Sequence, residues 1–176
     1  MFERLIDLLL SLGDKLLPCF IIEAYEAGAV LRFGKYHRGV DPGIHWKIPF
    51  VERVIEIVAC TTTMRLPPQT LTTADGKSVV VTAIVRYNVR DVKPYVTDIY
   101  DQHDALGDVT MGAIREAVRS ATLEQLASAP PEKEIATSVR RKVGRYGIEV
   151  EAVTFSDLAA VRSFRLIQAS PKDIDN

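Results

Sequence analysis

A chain of 176 residues with 47% hydrophobic and 26% charged residues has the apolar material for one cored domain, and its composition is neither disordered nor fibrous. Lys and Arg number 22 against 23 Asp and Glu, a net charge of -1 at pH 7, which excludes a general nucleic-acid footprint. Two cysteines, Cys19 and Cys60, make neither a disulfide framework nor a metal-spaced pair, and lean toward a reducing compartment.

Residues 1–17 read MFERLIDLLLSLGDKLL. Charges interrupt the apolar run, and neither the basic start nor the small-residue cleavage site of a secretory signal is present. A spanning helix needs about 20 mostly apolar residues; continuing to Ile22 supplies the length, but the charges and Pro18 break it. The pattern predicts an amphipathic helix over 2–17. Glu3, Asp7, Ser11 and Asp14 share one face, against Phe2, Leu5, Ile6, Leu9, Leu12 and Leu16. Its polar face is acidic, so binding to a membrane must come from apolar burial, which serves a protein groove equally well.

Glu26 to Phe50 carries four of the ten glycines and the only tryptophan. Glu26-Ala27-Gly28 reads as a turn and Ala29 to Phe33 as a strand. Gly34-Lys35 and Arg38-Gly39 are turn-prone, and Asp41-Pro42-Gly43 is a strong turn signal. Ile44, Trp46 and Ile48 then alternate with His45, Lys47 and Pro49, as in a half-buried strand. Arg53 to Met64 is β-rich. Thr70 to Ala74, the turn Asp75-Gly76, and Lys77 to Val89 predict a hairpin; Val79, Val81, Ala83, Val85, Tyr87 and Val89 share its apolar face.

Asp91 is an N-cap for a short helix toward Asp101. A longer helix over 104–121 has the stripe Leu106, Val109, Ala113, Ile114, Ala117 and Val118, with Arg115, Glu116 and Arg119 facing out. Thr122 to Gln125 is a capping box. Glu132 to Tyr146 forms a last helix with its basic residues near the end, Gly147 terminating it. Residues 148–155 close the domain as a strand, 159–168 suit a helical turn or two, and 169–176 read as a frayed end.

These residues resemble the SPFH, or band-7, domain of stomatins, prohibitins and flotillins, and the pattern is closest to stomatin-like proteins. The matching positions are Glu26, Gly28, Val30, Leu31, Arg32, Phe33, Gly34, Lys35, Tyr36, Pro42, Gly43, His45, Trp46, Lys47, Pro49 and Phe50. Further on, Pro67, Gln69, Thr73, Asp75, Gly76, the strand Val79 to Val89, Asp91, Arg115, Thr122-Leu123 and Tyr146-Gly147-Ile148 continue it. The expected architecture is α+β: a mostly antiparallel twisted sheet, then helices, then a closing strand. It divides into an apolar N-terminal segment (1–22), the SPFH domain (23–158) and a short extension (159–176).

The resemblance implies a non-enzymatic, membrane-associated scaffold on the cytoplasmic face. It would self-assemble into a ring or cage and organise a membrane patch or restrain a membrane protein such as a protease, or act with another SPFH protein. Lipid contact is expected through Phe2, Leu5, Ile6, Leu9, Leu12, Leu16, Phe20 and Trp46, with Cys19 a possible acylation position. The family's long heptad-bearing helix does not follow the domain here, which points to a flatter or smaller ring. Two alternatives stay open: a soluble oligomeric module whose residues 2–17 pack on a neighbouring subunit, and a minimal phage or mobile-element form that co-assembles with a host SPFH protein.

Catalytic signals are weak. His37, His45 and His103 lack metal-site spacing, and no nucleophile elbow or phosphate loop occurs. Ser138 to Arg141 misses a Ser-x-x-Lys motif, and Asp98/Asp101 and Glu132/Glu134 fit solvated or capping positions. No catalytic, cofactor-binding or metal-binding residue is expected, and no nucleic-acid partner.

Overall fold

A computed structural model of the chain describes residues 18–161. The helix expected over 2–17 and the segment 162–176 lie outside the described residues. Nine strands and four α-helices follow in order: β1 (Cys19–Ile22), β2 (Glu26–Arg32), β3 (Lys35–Val40), β4 (Gly43–Trp46), β5 (Glu52–Val58), β6 (Thr62–Arg65), β7 (Gln69–Thr72), β8 (Ser78–Val89), α1 (Val92–Thr97), α2 (Gln102–Ser120), α3 (Leu123–Ser128), α4 (Glu132–Val143) and β9 (Ile148–Ala160). All pairings are antiparallel, in sheets β1-β4, β3-β2-β5 and a third in which β8 pairs β6, β7 and β9. This is the α+β architecture expected, strands first, then helices, then a closing strand.

β8 is the spine of the larger half. Its residues Val79, Val81, Ala83 and Val85 are buried as the alternation requires, and register with β9 runs from Val79↔Ala160 to Val89↔Ile148. α2 lays Leu106, Ala113, Ile114 and Val118 on this core, and α4 adds Ile135, Ala136, Val139 and Val143. Thr110 is buried within the stripe at little cost, because its hydroxyl donates to the Leu106 carbonyl at 2.7 Å. A second, smaller core of Ile22, Val30 and Val40 holds the N-terminal strands together.

The helix starts are capped as the sequence requires. Asp91 accepts from the Lys93 N–H, Asp101 from the Asp104 N–H, and Thr122 with Gln125 closes the capping box. α4 ends at Val143 and passes into a 3-10 turn over Gly144–Tyr146, after which Gly147 takes φ 75.

Several local expectations are corrected. Glu26 to Gly28 is strand rather than turn, because β5 satisfies its backbone from Glu26↔Val58 onward. Gly28 is needed for close packing: a Cβ there would stand 2.5 Å from Val40 Cγ2. Arg38-Gly39 lies inside β3, paired with Val30 and Ala29. The run 53–64 breaks at Ala59–Thr61 into β5 and β6, which join different sheets. β9 runs past the expected end at Phe155 to Ala160, so the first residues of the helical turn expected over 159–168 are strand while 162–168 lie outside the described residues; register shifts between Thr82/Ala83 and Arg86/Tyr87 of β8 accompany this pairing.

The Asp75-Gly76 turn does more than reverse the chain. The Asp75 carboxylate accepts from the Thr73 hydroxyl and, across the fold, from the Leu123 N–H at the start of α3; Lys77 pairs with it at 3.1 Å. The Thr73 bond, followed by Lys77, holds its carboxyl down at about 2. A folded pKa below the unfolded value gives stability that is full above the ordinary carboxylate range and is lost as pH falls through about 2. Asp75→Asn is therefore expected to melt below wild type at neutral pH, the gap closing toward pH values near 2, as thermal melts across the acid range would show.

Candidate functional site

The chemistry-bearing surface is apolar. β1 and β4 pair as a two-stranded sheet, Cys19↔Trp46, Phe20↔His45 and Ile21↔Ile44. Alternation sends Phe20 and Ile22 inward against Val30 and Val40, with the Phe20 ring 5.6 Å from that of His45. It sends Cys19, Ile21, Ile44 and Trp46 outward. Ile21 is 62% exposed, Ile44 73% and Trp46 70%. The expectation of a half-buried strand over Ile44, Trp46 and Ile48 is thus corrected, because nothing in the described chain covers that face. Phe20 likewise leaves the expected lipid-facing set for the small core.

Two further exposed phenylalanines lie in loops of the same N-terminal strands. Phe33 and Gly34 are the central residues of the two-residue loop between paired Arg32 and Lys35, both at positive φ. A type I′ hairpin turn demands this geometry and favours Asn-Gly, so a phenylalanine there is costly. Phe50, in the loop before β5, stands at φ 65. These are the only non-glycine residues at positive φ among the described residues, and they are 80% and 84% exposed. The Phe33 N–H donates to the Val51 carbonyl at 3.1 Å, so the two loops are neighbours.

A latch beneath them holds both loops. Arg32 donates through Nε (3.0 Å) and Nη2 (2.7 Å) to Glu52 Oε1, while Glu52 Oε2 accepts the Ile48 N–H at 2.9 Å. The Glu52 side chain is only 3% exposed. The Ile48 N–H first, and then Arg32, keep its carboxyl below the usual range and ionised at neutral pH. Arg38 Nη2 adds a bond to the Trp46 carbonyl, and the Lys47 N–H donates to the Pro18 carbonyl, tying β4 down at both sides. Strained backbone is thus combined here with bulky apolar side chains turned to solvent.

Of the residues expected at this surface, Trp46 and Cys19 sit together on the exposed face; Phe2, Leu5, Ile6, Leu9, Leu12 and Leu16 lie outside the described residues. Ile21, Ile44, Phe33 and Phe50 were missed. The alternation of Ile44 with Trp46 carried a signal for Ile44, but Ile21 lies in an unbroken apolar run and Phe33 looked like a strand residue. Elsewhere, Arg140, among the basic residues near the end of α4, donates to the carbonyls of Val150 and Glu151 on β9. Cys19 is exposed, as is Cys60. Among the described residues no group of three His, Cys, Asp or Glu could hold a metal ion, and no helix is long and apolar enough to cross a membrane.

The family model described as SPFH domain / Band 7 family matches residues 20–165, well over half of the chain. The chain belongs to the SPFH domain / Band 7 family. It is similar to an uncharacterized protein of Archaeoglobus fulgidus, 27% identical over 151 residues that cover 85% of this chain and 61% of the relative. Mouse stomatin-like protein 3 is 26% identical over 144 residues, 78% of this chain and 50% of the relative. The modulator of FtsH protease HflK of Escherichia coli is 27% identical over 107 residues, 61% of this chain and 26% of the relative. The chain thus spans less than two thirds of the length of each of these three. In the SPFH domain, the exposed surface falls in the N-terminal strands β1 to β5 and their loops.

Proposed function

We propose that this SPFH protein is a non-enzymatic scaffold that docks on a membrane and self-assembles there. The observation that carries the reading is the set Ile21, Ile44, Trp46, Phe33 and Phe50, exposed on the N-terminal strands and their loops, with the Arg32–Glu52 latch bracing the Phe33 and Phe50 loops. Lys35 and Arg53, exposed beside these loops, suit anionic head groups. Tryptophan fits a surface with one wet side.

Each large side chain contributes about 1.5–3 kcal/mol only when fully buried, so one domain inserting a few of them partway binds weakly. Several copies in one assembly multiply that binding, since each later contact becomes intramolecular. Self-association and membrane docking therefore support each other. The amphipathic segment 2–17 and the position of Cys19 at the same end of the domain fit this arrangement, with the cytoplasmic leaflet as the surface. The similarity to the modulator of FtsH protease HflK of Escherichia coli motivates a membrane protease as the restrained partner; another SPFH protein is the alternative.

The test is flotation of the full chain with phosphatidylcholine vesicles, with and without phosphatidylserine, together with its mass by light scattering. Flotation strengthened by phosphatidylserine and a mass of many subunits are expected. Failure to float removes the membrane role and hands the apolar face to subunit docking; a monomer under all conditions removes self-assembly.

A further inference from the structure

A second surface lies far along the chain from the apolar one, beside β7. Among the described residues this strand pairs only β8, which leaves its other edge open. The Thr73 N–H donates to the Lys77 carbonyl, which makes Thr73/Lys77 a hydrogen-bonded pair. Stepping by two, Leu71/Val79 and Gln69/Val81 are the next such pairs, and the backbone groups of Thr70 and Thr72 point away from β8. The Val161 N–H donating to the Ser78 carbonyl on the opposite side of β8 fits the same phase.

Along this open edge runs α2. Between the two is a cleft of about 620 Å³ lined by Thr70 to Ala74 and by Arg115 and Arg119. Among the described residues neither guanidinium has a carboxylate partner. Asp75, at the end of the β7 turn, is held by Thr73, Lys77 and Leu123, and Glu116, beside Arg115 in sequence, pairs with Lys142 at 3.8 Å. Arg119 in the last helical turn also suits the macrodipole, but Arg115, a turn earlier, gains nothing from it.

We propose that this cleft takes an extended acidic segment of a partner protein as an added strand on β7. The spacing matches. Residues four apart on a helix rise about 6 Å, and alternate residues of a strand stand about 6.6–6.8 Å apart. Two carboxylates at positions i and i+2 of the incoming strand meet Arg115 and Arg119, while its backbone pairs with Thr70 and Thr72. Main-chain bonds supply the affinity and the guanidiniums supply the selection, since guanidinium binds carboxylate in charge-assisted pairs. The partner is a peptide rather than a free anion because the floor of the cleft offers backbone acceptors as well as donors.

The probe is a fluorescein-labelled peptide Thr-Asp-Val-Asp-Thr, titrated with the full chain and followed by anisotropy, beside Thr-Arg-Val-Arg-Thr. The wild type is expected to bind the Asp peptide, with Arg115→Glu/Arg119→Glu weakening it by roughly tenfold or more. That variant should gain the Arg peptide, which also shows it is folded. Hydrogen exchange at Thr70 and Thr72 should slow on binding the Asp peptide. No binding of the Asp peptide, or equal binding by the double variant, overturns the proposal. So does a change in the assembly size of the double variant with no peptide binding, which would assign the cleft to a subunit contact.

Discussion

Phe33→Asn with Phe50→Gly should make the protein more stable and strip it from vesicles. Both side chains are exposed, so their removal opens no cavity. Both backbones sit at positive φ, where an L residue costs roughly 1–2 kcal/mol. Asn-Gly is the favoured pair for the turn that Phe33 and Gly34 make, and glycine accepts φ 65 freely. A gain of about 1 kcal/mol at each position raises the melting temperature by roughly 2–4 °C per kcal/mol in a domain of this size. Half-burial of two phenylalanines in lipid contributes about 1.5–3 kcal/mol, so vesicle affinity should fall roughly ten- to a hundredfold. Stability and vesicle binding moving in opposite directions would separate function from folding. A melting temperature that falls together with flotation would place the two phenylalanines in the fold rather than at a contact.

Gly147→Ala should be the most damaging glycine-to-alanine change among the described residues. Gly147 is buried at φ 75, and its carbonyl accepts the N–H groups of Arg90 and Asp91 where β8, α1 and β9 meet. A Cβ there would collide with the Asp91 carbonyl and come within 3.1 Å of Pro94 Cγ. Backbone strain of roughly 1–2 kcal/mol adds to the displacement of a helix start, for a total of about 3–4 kcal/mol. The melting temperature should drop by roughly 10 °C. Gly144→Ala is the matched control. Gly144 has helical φ -57 and open space around a Cβ, so alanine should be neutral or stabilising. Calorimetry on the two variants distinguishes the positions, and equal melting temperatures would refute the account of Gly147.

Where a local rule and the tertiary fold agree, the sequence was sufficient. The alternation in β8, the stripe on α2, the Thr122–Gln125 box and Gly147 each appear as read. The misses have a common origin in pairing. Ala59 to Thr61 contains no glycine or proline, yet the chain leaves one sheet there for another. Phe33 is a good strand former, and only the register that pairs Arg32 with Lys35 forces it into the turn. Period-two patterning tells which residues share a face but not which face is covered, so Phe20 and Ile21 were indistinguishable until Val30 and Val40 filled one side. Arg115 and Arg119 read as ordinary outward charges, because the open edge of β7 beside them is invisible from the helix.

The account centres on an apolar surface that meets lipid, and Trp46, the only tryptophan in the chain, reports on it directly. Its emission should shift to the blue and gain intensity when the full chain meets phosphatidylserine-containing vesicles, and a quencher in the acyl region should dim it. An emission spectrum that vesicles leave unchanged would contradict the membrane-facing role of this surface.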